Sequence, residues 1–227
     1  MTADPETQLR ADARRNRDLI LAAAKAKFAV AGIEVPMDEI ARAAGVGIGT
    51  LYRRFPDREA LIREVARDNF RRVRDEARTA ADEEATAWQA LVRILEQAAG
   101  LKLSMQLVFL APTARSVLQE DEVTGTLRKE LLQVLDGVVR AAQAEGSLRR
   151  DVGAGDVAIM FVMLLREIPG NTTLDDVVQA SPGRWTTLLL DAFRGESRLP
   201  GRPLTVEDLE DGSTAPTTAV AGREAQP

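Results

Sequence analysis

Apolar residues in the first third of the chain recur at helical spacing, not strand spacing. Ile20, Ala24, Phe28 and Ala31 stand at i, i+4, i+8 and i+11, one face of a helix predicted over residues 12–31 and ended by Gly32. Residues 1–11 are polar, contain Pro5 and are expected to fray. Pro36 suits the opening of a second helix, where its missing N–H has no intrahelical partner to lose. Met37, Ile40, Ala41 and Ala44 then make a short apolar face that Gly45 ends. Val46 and Gly47 lead into a third helix at about 48–55, stopped by Pro56. Asp57 is placed to cap a long fourth helix, with Glu59 and Glu64 in its early turns, where carboxylates favour the helix dipole. Its buried side reads Leu61, Val65, Ala66, Asn69 and Val73; its other side reads Arg63, Arg67, Arg71, Arg72, Arg74 and Arg78.

Further helices are expected at about 85–100, 103–118, 122–145, 154–167 and 182–194, with glycines and prolines between them. Clean period-two alternation and internal repeats are both missing from the sequence, so the fold class is all-α. From Arg198 the chain turns rich in Pro, Gly, Thr and Ala and acidic, and residues 196–227 are expected to form a disordered tail. Val206 and Leu209 are the residues there with some capacity for a weak contact.

Two short apolar-faced helices joined by Gly45-Val46-Gly47 have the layout of a helix-turn-helix. The turn needs a residue that tolerates positive φ, which Gly45 supplies. In such a motif the first helix braces and the second enters the major groove. A helical wheel of the third helix puts Ile48, Leu51, Tyr52 and Phe55 on one side and Gly49, Thr50, Arg53 and Arg54 on the other. The second side is small, hydroxylic and cationic, as a DNA-facing surface should be. Geometry alone leaves an ordinary αα-hairpin in a helical core equally open.

Composition narrows the chemistry. The 227 residues include no cysteine and no histidine. Disulfides, thiolate catalysis, Cys-ligated metals and a standard hydrolase triad are thereby excluded. Neither a nucleophile–base pair nor a cofactor loop stands out, so no enzyme, cofactor or metal is expected. The formal net charge of −5 argues against nucleic acid taken whole, but its distribution does not. Residues 1–80 carry 16 basic and 13 acidic side chains, whereas residues 81–195 carry 11 and 16. The balance turns acidic after Asp82-Glu83-Glu84, near the end of the fourth helix. A modest basic patch at the front is compatible with phosphate binding. An apolar leader and an 18-residue apolar run are both missing, so a cytoplasmic protein with no membrane partner is expected.

Met37-Asp38-Glu39-Ile40-Ala41-Arg42-Ala43-Ala44-Gly45-Val46, followed by Gly49-Thr50-Leu51-Tyr52-Arg53-Arg54-Phe55-Pro56-Asp57-Arg58-Glu59-Ala60-Leu61, closely resembles the signature of the tetracycline-repressor (TetR) family. Ile20, Ala23, Ala24, Phe28 and Gly32 fit it as well, so the resemblance covers roughly residues 14–66. Gly146-Ser147-Leu148-Arg149-Arg150-Asp151-Val152 is a weaker echo, similar to the linker before the dimer helices of many members. The resemblance implies a three-helix DNA-binding domain at 12–60 and a larger ligand-binding and dimerisation domain at 61–195, with the boundary inside the fourth helix. It implies a homodimer that binds double-stranded operator DNA. A small apolar or amphipathic effector would move the fourth helix and release a repressor from its operator. Carried over by position, Ile48, Gly49, Thr50, Tyr52 and Arg53 would meet DNA, Thr50 and Tyr52 at phosphates. Arg58 would hold another phosphate, and Arg14, Arg15 and Arg17 would lie near the backbone or minor groove. The wheel turns Ile48 and Tyr52 inward; the family turns both towards DNA.

This chain departs from the family at two places. Gly47 stands where Ser or Thr usually caps the recognition helix, and Pro36 where a hydroxyl often opens the second helix. These departures sustain an alternative, a helical ligand-binding or scaffolding dimer with a degenerate DNA-binding head. Trp88, Met105, Phe109, Met160, Phe161 and Met163 are candidate pocket residues, although Met and Phe at helical spacing are more often plain core. Two apolar stripes, Phe161-Leu164-Leu165 and Trp185-Leu188-Leu189-Phe193, are expected to build a four-helix dimer interface. The arginine run of the fourth helix and the acidic starts such as Glu120-Asp121-Glu122 read as solvated.

Overall fold

The computed structural model describes residues 5–98, 101, 103, 112–165, 182–196 and 199–210. Their regular structure is all helical, with no strand among the described residues. The helices are α1 (Pro5–Ala31), α2 (Met37–Ala43), α3 (Ile48–Arg54), α4 (Arg58–Glu83), α5 (Ala87–Ala98), α6 (Pro112–Gln119), α7 (Glu122–Ala144), α8 (Ala154–Leu165), α9 (Pro182–Ala192) and α10 (Val206–Glu210). Helix α1 begins at Pro5, seven residues before the expected start, because proline is at ease in the first turn of a helix.

The chain divides into two compact units. The first gathers α1–α3, most of α4, α6 and the opening turns of α7. The division does not fall at 60–61, as the sequence suggested. Its α4 portion runs on to Glu76, and α6 shares the core of the head. Ala114, Val117 and Leu118 pack with Ile20, Phe28, Ile40, Leu51, Phe55, Leu61 and Val65 in one hydrophobic cluster. With α2 and α3 only seven residues each, the first three helices bury too little apolar surface alone, so the head draws on α4 and α6.

The second unit holds the end of α4, nearly all of α5, the rest of α7, α8, α9 and α10. Leu91, Val139, Val157, Phe161, Leu190 and Phe193 are among its buried residues. The Glu145 carboxylate accepts the Ala87 N–H, satisfying a donor at the start of α5. The expectation of disorder from residue 196 fails for 199–210. The Gly155 N–H donates to the Leu204 carbonyl at 2.9 Å, and the Leu204 N–H to Asp156 at 3.0 Å. A Cβ on Gly155 would sit 2.7 Å from the Thr205 carbonyl oxygen, and one on Gly153 would strike that of Leu204. Only glycines let this strap lie so close, and Val206 within it is buried. Composition failed here because main-chain bonds and bare backbone hold the strap, not an apolar face.

Candidate nucleic-acid interface

The turn between α2 and α3 is fixed by its backbone. Gly45 has φ +68°, its N–H donates to the Arg42 carbonyl at 3.1 Å, and the Val46 N–H donates to Ala41 at 3.0 Å. This paired closure satisfies the last carbonyls of α2 and turns the chain sharply into α3. Gly47 opens α3 with backbone alone: its carbonyl accepts from the Thr50 N–H at 2.9 Å, and no side chain caps the helix. Pro36 opens α2 in the same uncapped way. Asp57, by contrast, caps α4 as expected, accepting the Ala60 N–H at 2.6 Å.

Leu51 and Phe55 anchor α3 in the core, while Ile48 is 42% and Tyr52 47% exposed. The wheel therefore misjudged both residues. Ile48 is the first residue of the helix and projects from its end, and Tyr52 lies on the rim beside the buried Leu51. Gly49, Arg53 and Arg54 are exposed too. Thr50 is half-buried, and its hydroxyl accepts from Arg53 Nη2 at 3.0 Å, which steadies that guanidinium along the helix surface. The result is one continuous outward surface of apolar tip, bare backbone, phenol and cations.

The flanking arginines differ among themselves. Arg14 and Arg15 are exposed on α1, Arg15 with Asp12 at 3.2 Å. Arg17 is turned inward instead. It is half-buried, bonded to Glu64 of α4 and 3.1 Å from Asp18, so it braces α1 against α4. Arg58 likewise donates to the carbonyls of Ile33 and, at 2.6 Å, Val35, tying down the loop before α2. The resemblance placed Arg17 near the DNA backbone or minor groove and Arg58 at a phosphate; the structure engages both with the chain's own acceptors. These loop carbonyls need donors, and a sequence does not show where they will point.

The arginine run of α4 is only in part the solvated face expected: Arg72 and Arg78 are exposed, but Arg67 and Arg74 are engaged. Arg67 grips Asp121 with Nε at 2.9 Å and with Nη2, and Arg74 reaches Glu130 at 2.8 Å. Asp121 is buried and caps α7, accepting the Thr124 N–H at 3.0 Å and the Thr124 hydroxyl at 2.5 Å. Arg67 and these Thr124 donors, against the opposing effect of burial, hold the Asp121 carboxyl down to about 2. The spacing Asp121-X-X-Thr124 was the available sequence signal for this cap; its arginine partner lies 54 residues away.

The candidate pocket and dimer residues do not assemble as expected. Met105 and Phe109 lie outside the described residues. Met160 and Met163 are exposed, while Phe161 is buried in the chain's own core. Trp88 is half-buried beneath Arg194, whose guanidinium carbon lies 3.9 Å from the ring centre. Leu189 and Phe193 are also buried within the chain, so the stripe to which they were assigned is largely intrachain core. Leu188 is 50% exposed, Leu164 and Trp185 are half-buried, and the Leu165 side chain lies outside the described residues. A cleft of about 530 Å³ is lined by Ala81, Ala85, Ala90, Val134 and Val138, with Arg78, Asp82 and Glu84 among its polar residues. Among the described residues no helix is long and apolar enough to cross a membrane, and no three acidic side chains converge as metal ligands.

A family model described as bacterial regulatory proteins, tetR family, matches residues 20–65. A TetR transcription regulatory protein from Mycobacterium vanbaalenii is 31% identical, with TM-score 0.56, over 82% of this chain and 99% of that one. A TetR transcriptional regulator from Streptomyces coelicolor is 30% identical, with TM-score 0.61, over 80% of this chain and 99% of that one. An uncharacterised HTH-type transcriptional regulator of Mycobacterium bovis is 27% identical over 146 residues, 64% of this chain and 74% of the relative.

Proposed function

The chain belongs to the TetR family of bacterial regulatory proteins, and from that premise we propose that it is a homodimeric repressor released from operator DNA by a small apolar or amphipathic ligand. The observation that carries the DNA-binding part is the outward surface of α3, with Leu51 and Phe55 buried behind Ile48, Gly49, Tyr52 and Arg53. One α-helix fits the major groove, and this one presents groups able to touch bases and phosphates there. Exposed Met160, Met163 and Leu188 support a self-association face, and the apolar-lined cleft beside α7 is of a size that admits a small ligand.

The first experiment is a gel shift on DNA flanking the protein's own coding region. Binding to a palindromic site supports the proposal; equal affinity for every sequence would sink it. A base-substitution scan of that site then divides the reading. Arg53 has a forked cation able to hold guanine O6 and N7 together, worth about 1–3 kcal/mol of discrimination. Arg53→Ala is expected to relax preference at one guanine of each half-site. Ile48 offers only apolar contact to a thymine methyl, so Ile48→Ala should cost little affinity and loosen one A·T position. A uniform loss of affinity in Arg53→Ala would instead make Arg53 a phosphate clamp.

A second reading, a ligand-binding or scaffolding dimer with a degenerate head, is favoured by one observation. Neither α2 nor α3 carries a side-chain cap. Sequence-independent binding at low salt that vanishes at physiological salt is its expected signature.

A further inference from the structure

In the second unit, the turn after α7 and the end of α9 border a cleft of about 710 Å³ lined by three arginines, Arg149, Arg150 and Arg194. Arg149 is committed to the fold. Its Nε and Nη2 hold Asp151 at 2.6 and 3.0 Å, and its Nη1 reaches the Ala192 carbonyl at 3.4 Å. Asp151 is answered in full, since it also accepts the Leu199 N–H at 2.8 Å. The other two arginines are different. Among the described residues neither Arg150 nor Arg194 meets a carboxylate, and both are exposed. Arg194 is stacked over Trp88, 3.9 Å from the ring centre. A guanidinium held this way gives its face to the ring and keeps its N–H groups free in its own plane. Its plane is fixed in advance, so less freedom is lost when a forked acceptor arrives. Glu196 is the one acid of the cleft not already paired to Arg149, so two cations outweigh it.

We propose that this cleft binds a phosphate-bearing small molecule, with the phosphate held between Arg194 and Arg150. Forked donors match the oxygens of a phosphate, and two guanidinium groups suit a dianion better than a single carboxylate. The volume leaves room for the organic part of a small ligand. The proposal stands apart from the DNA reading, because none of its residues belongs to α1–α4.

The test uses the full-length protein and inorganic pyrophosphate as the probe, titrated at constant ionic strength by calorimetry and by tryptophan emission. Saturable binding is expected, with a change in emission as Arg194 shifts on Trp88. Arg194→Gln and Arg150→Gln should each weaken binding by about tenfold or more, the scale of a lost charge-assisted hydrogen bond. Arg184→Gln, an exposed arginine of α9 outside the cleft, should change it less than about twofold on the same scale. Absence of saturation, or an equal response in all three variants, would overturn the proposal as mere charge screening. Loss of DNA affinity in the two cleft variants without any pyrophosphate binding would overturn it too, in favour of a DNA-backbone contact.

Discussion

Single residues decide how firmly the reading helix is set. Gly47 begins α3 in extended backbone with φ −68°, and a Cβ there would meet nothing within 4 Å. Gly47→Ser therefore introduces an acceptor for the Gly49 or Thr50 N–H without strain. A serine cap exceeds a glycine one by only a few tenths of a kcal/mol, about 0.3. The expected outcome is slower amide exchange in the first turn of α3, together with tighter operator binding because the new hydroxyl also faces outward. Unchanged exchange would show that the backbone already satisfies this end. At the same scale, Asp121 has its pKa lowered to about 2 from 3.8 by Arg67 and Thr124. A depressed carboxylate contributes stability above its unfolded pKa and loses it as pH falls through the folded one. Asp121→Asn is thus expected to cost about 2 kcal/mol at neutral pH and to flatten the acid-unfolding curve between pH 4 and 2. Equal losses at pH 7 and pH 2 would contradict this.

At the level of elements, the head is tied together by arginines that reach acceptors on other elements. Arg17 joins α1 to α4, Arg58 holds the loop before α2, and Arg67 ties α4 to the cap of α7. The strap at 199–210 does the same for the start of α8, through Asp156 and the bare backbone of Gly153 and Gly155. Gly155→Ala puts a methyl 2.7 Å from a carbonyl oxygen, so the strap must lift. Overpacking of this kind costs about 1–3 kcal/mol. Endoproteinase Asp-N should then cleave the variant faster before Asp208, which wild type holds in an ion pair with Arg202 at 2.6 Å. Identical cleavage rates would mean that the strap is already free in solution.

For the whole molecule, the proposed homodimer raises the question of which apolar surface a second copy would cover. Leu189, 8% exposed, belongs to the chain's own core, whereas Leu188, next to it, is 50% exposed. Leu189→Glu buries an unpaired charge and should unfold the second unit. Leu188→Glu should leave each chain folded, with an unchanged helical circular-dichroism signal, yet yield monomers with little operator affinity. Sedimentation separates the two. A Leu188→Glu protein that stays dimeric would move the self-association face elsewhere.

The sequence by itself determined the helix class, the turn at Gly45, the cap at Asp57 and the family, because each depends on neighbours within a few positions. Helical spacing, one φ-tolerant residue and a capping acid act locally, and residues 20–65 carry them in unbroken order. The burial of Leu51 and Phe55 was legible from the same spacing. A wheel alone turned Ile48 and Tyr52 inward, and it was the family resemblance that turned both outward, in agreement with their exposure. Only the tertiary structure decided that Arg17 and Arg58 turn inward, that Asp121 meets Arg67, and that 199–210 packs against Gly153 and Gly155. Those outcomes join residues 47, 25, 54 and about 50 positions apart, and nothing in a local pattern says which distant donor will satisfy which acceptor. The dimer stripes divide between buried Phe161, Leu189 and Phe193 and exposed Leu188 for a related reason. Apolar spacing shows that a helix has a face to bury, but the partner against which it buries, its own chain or another copy, is a property of the packed molecule.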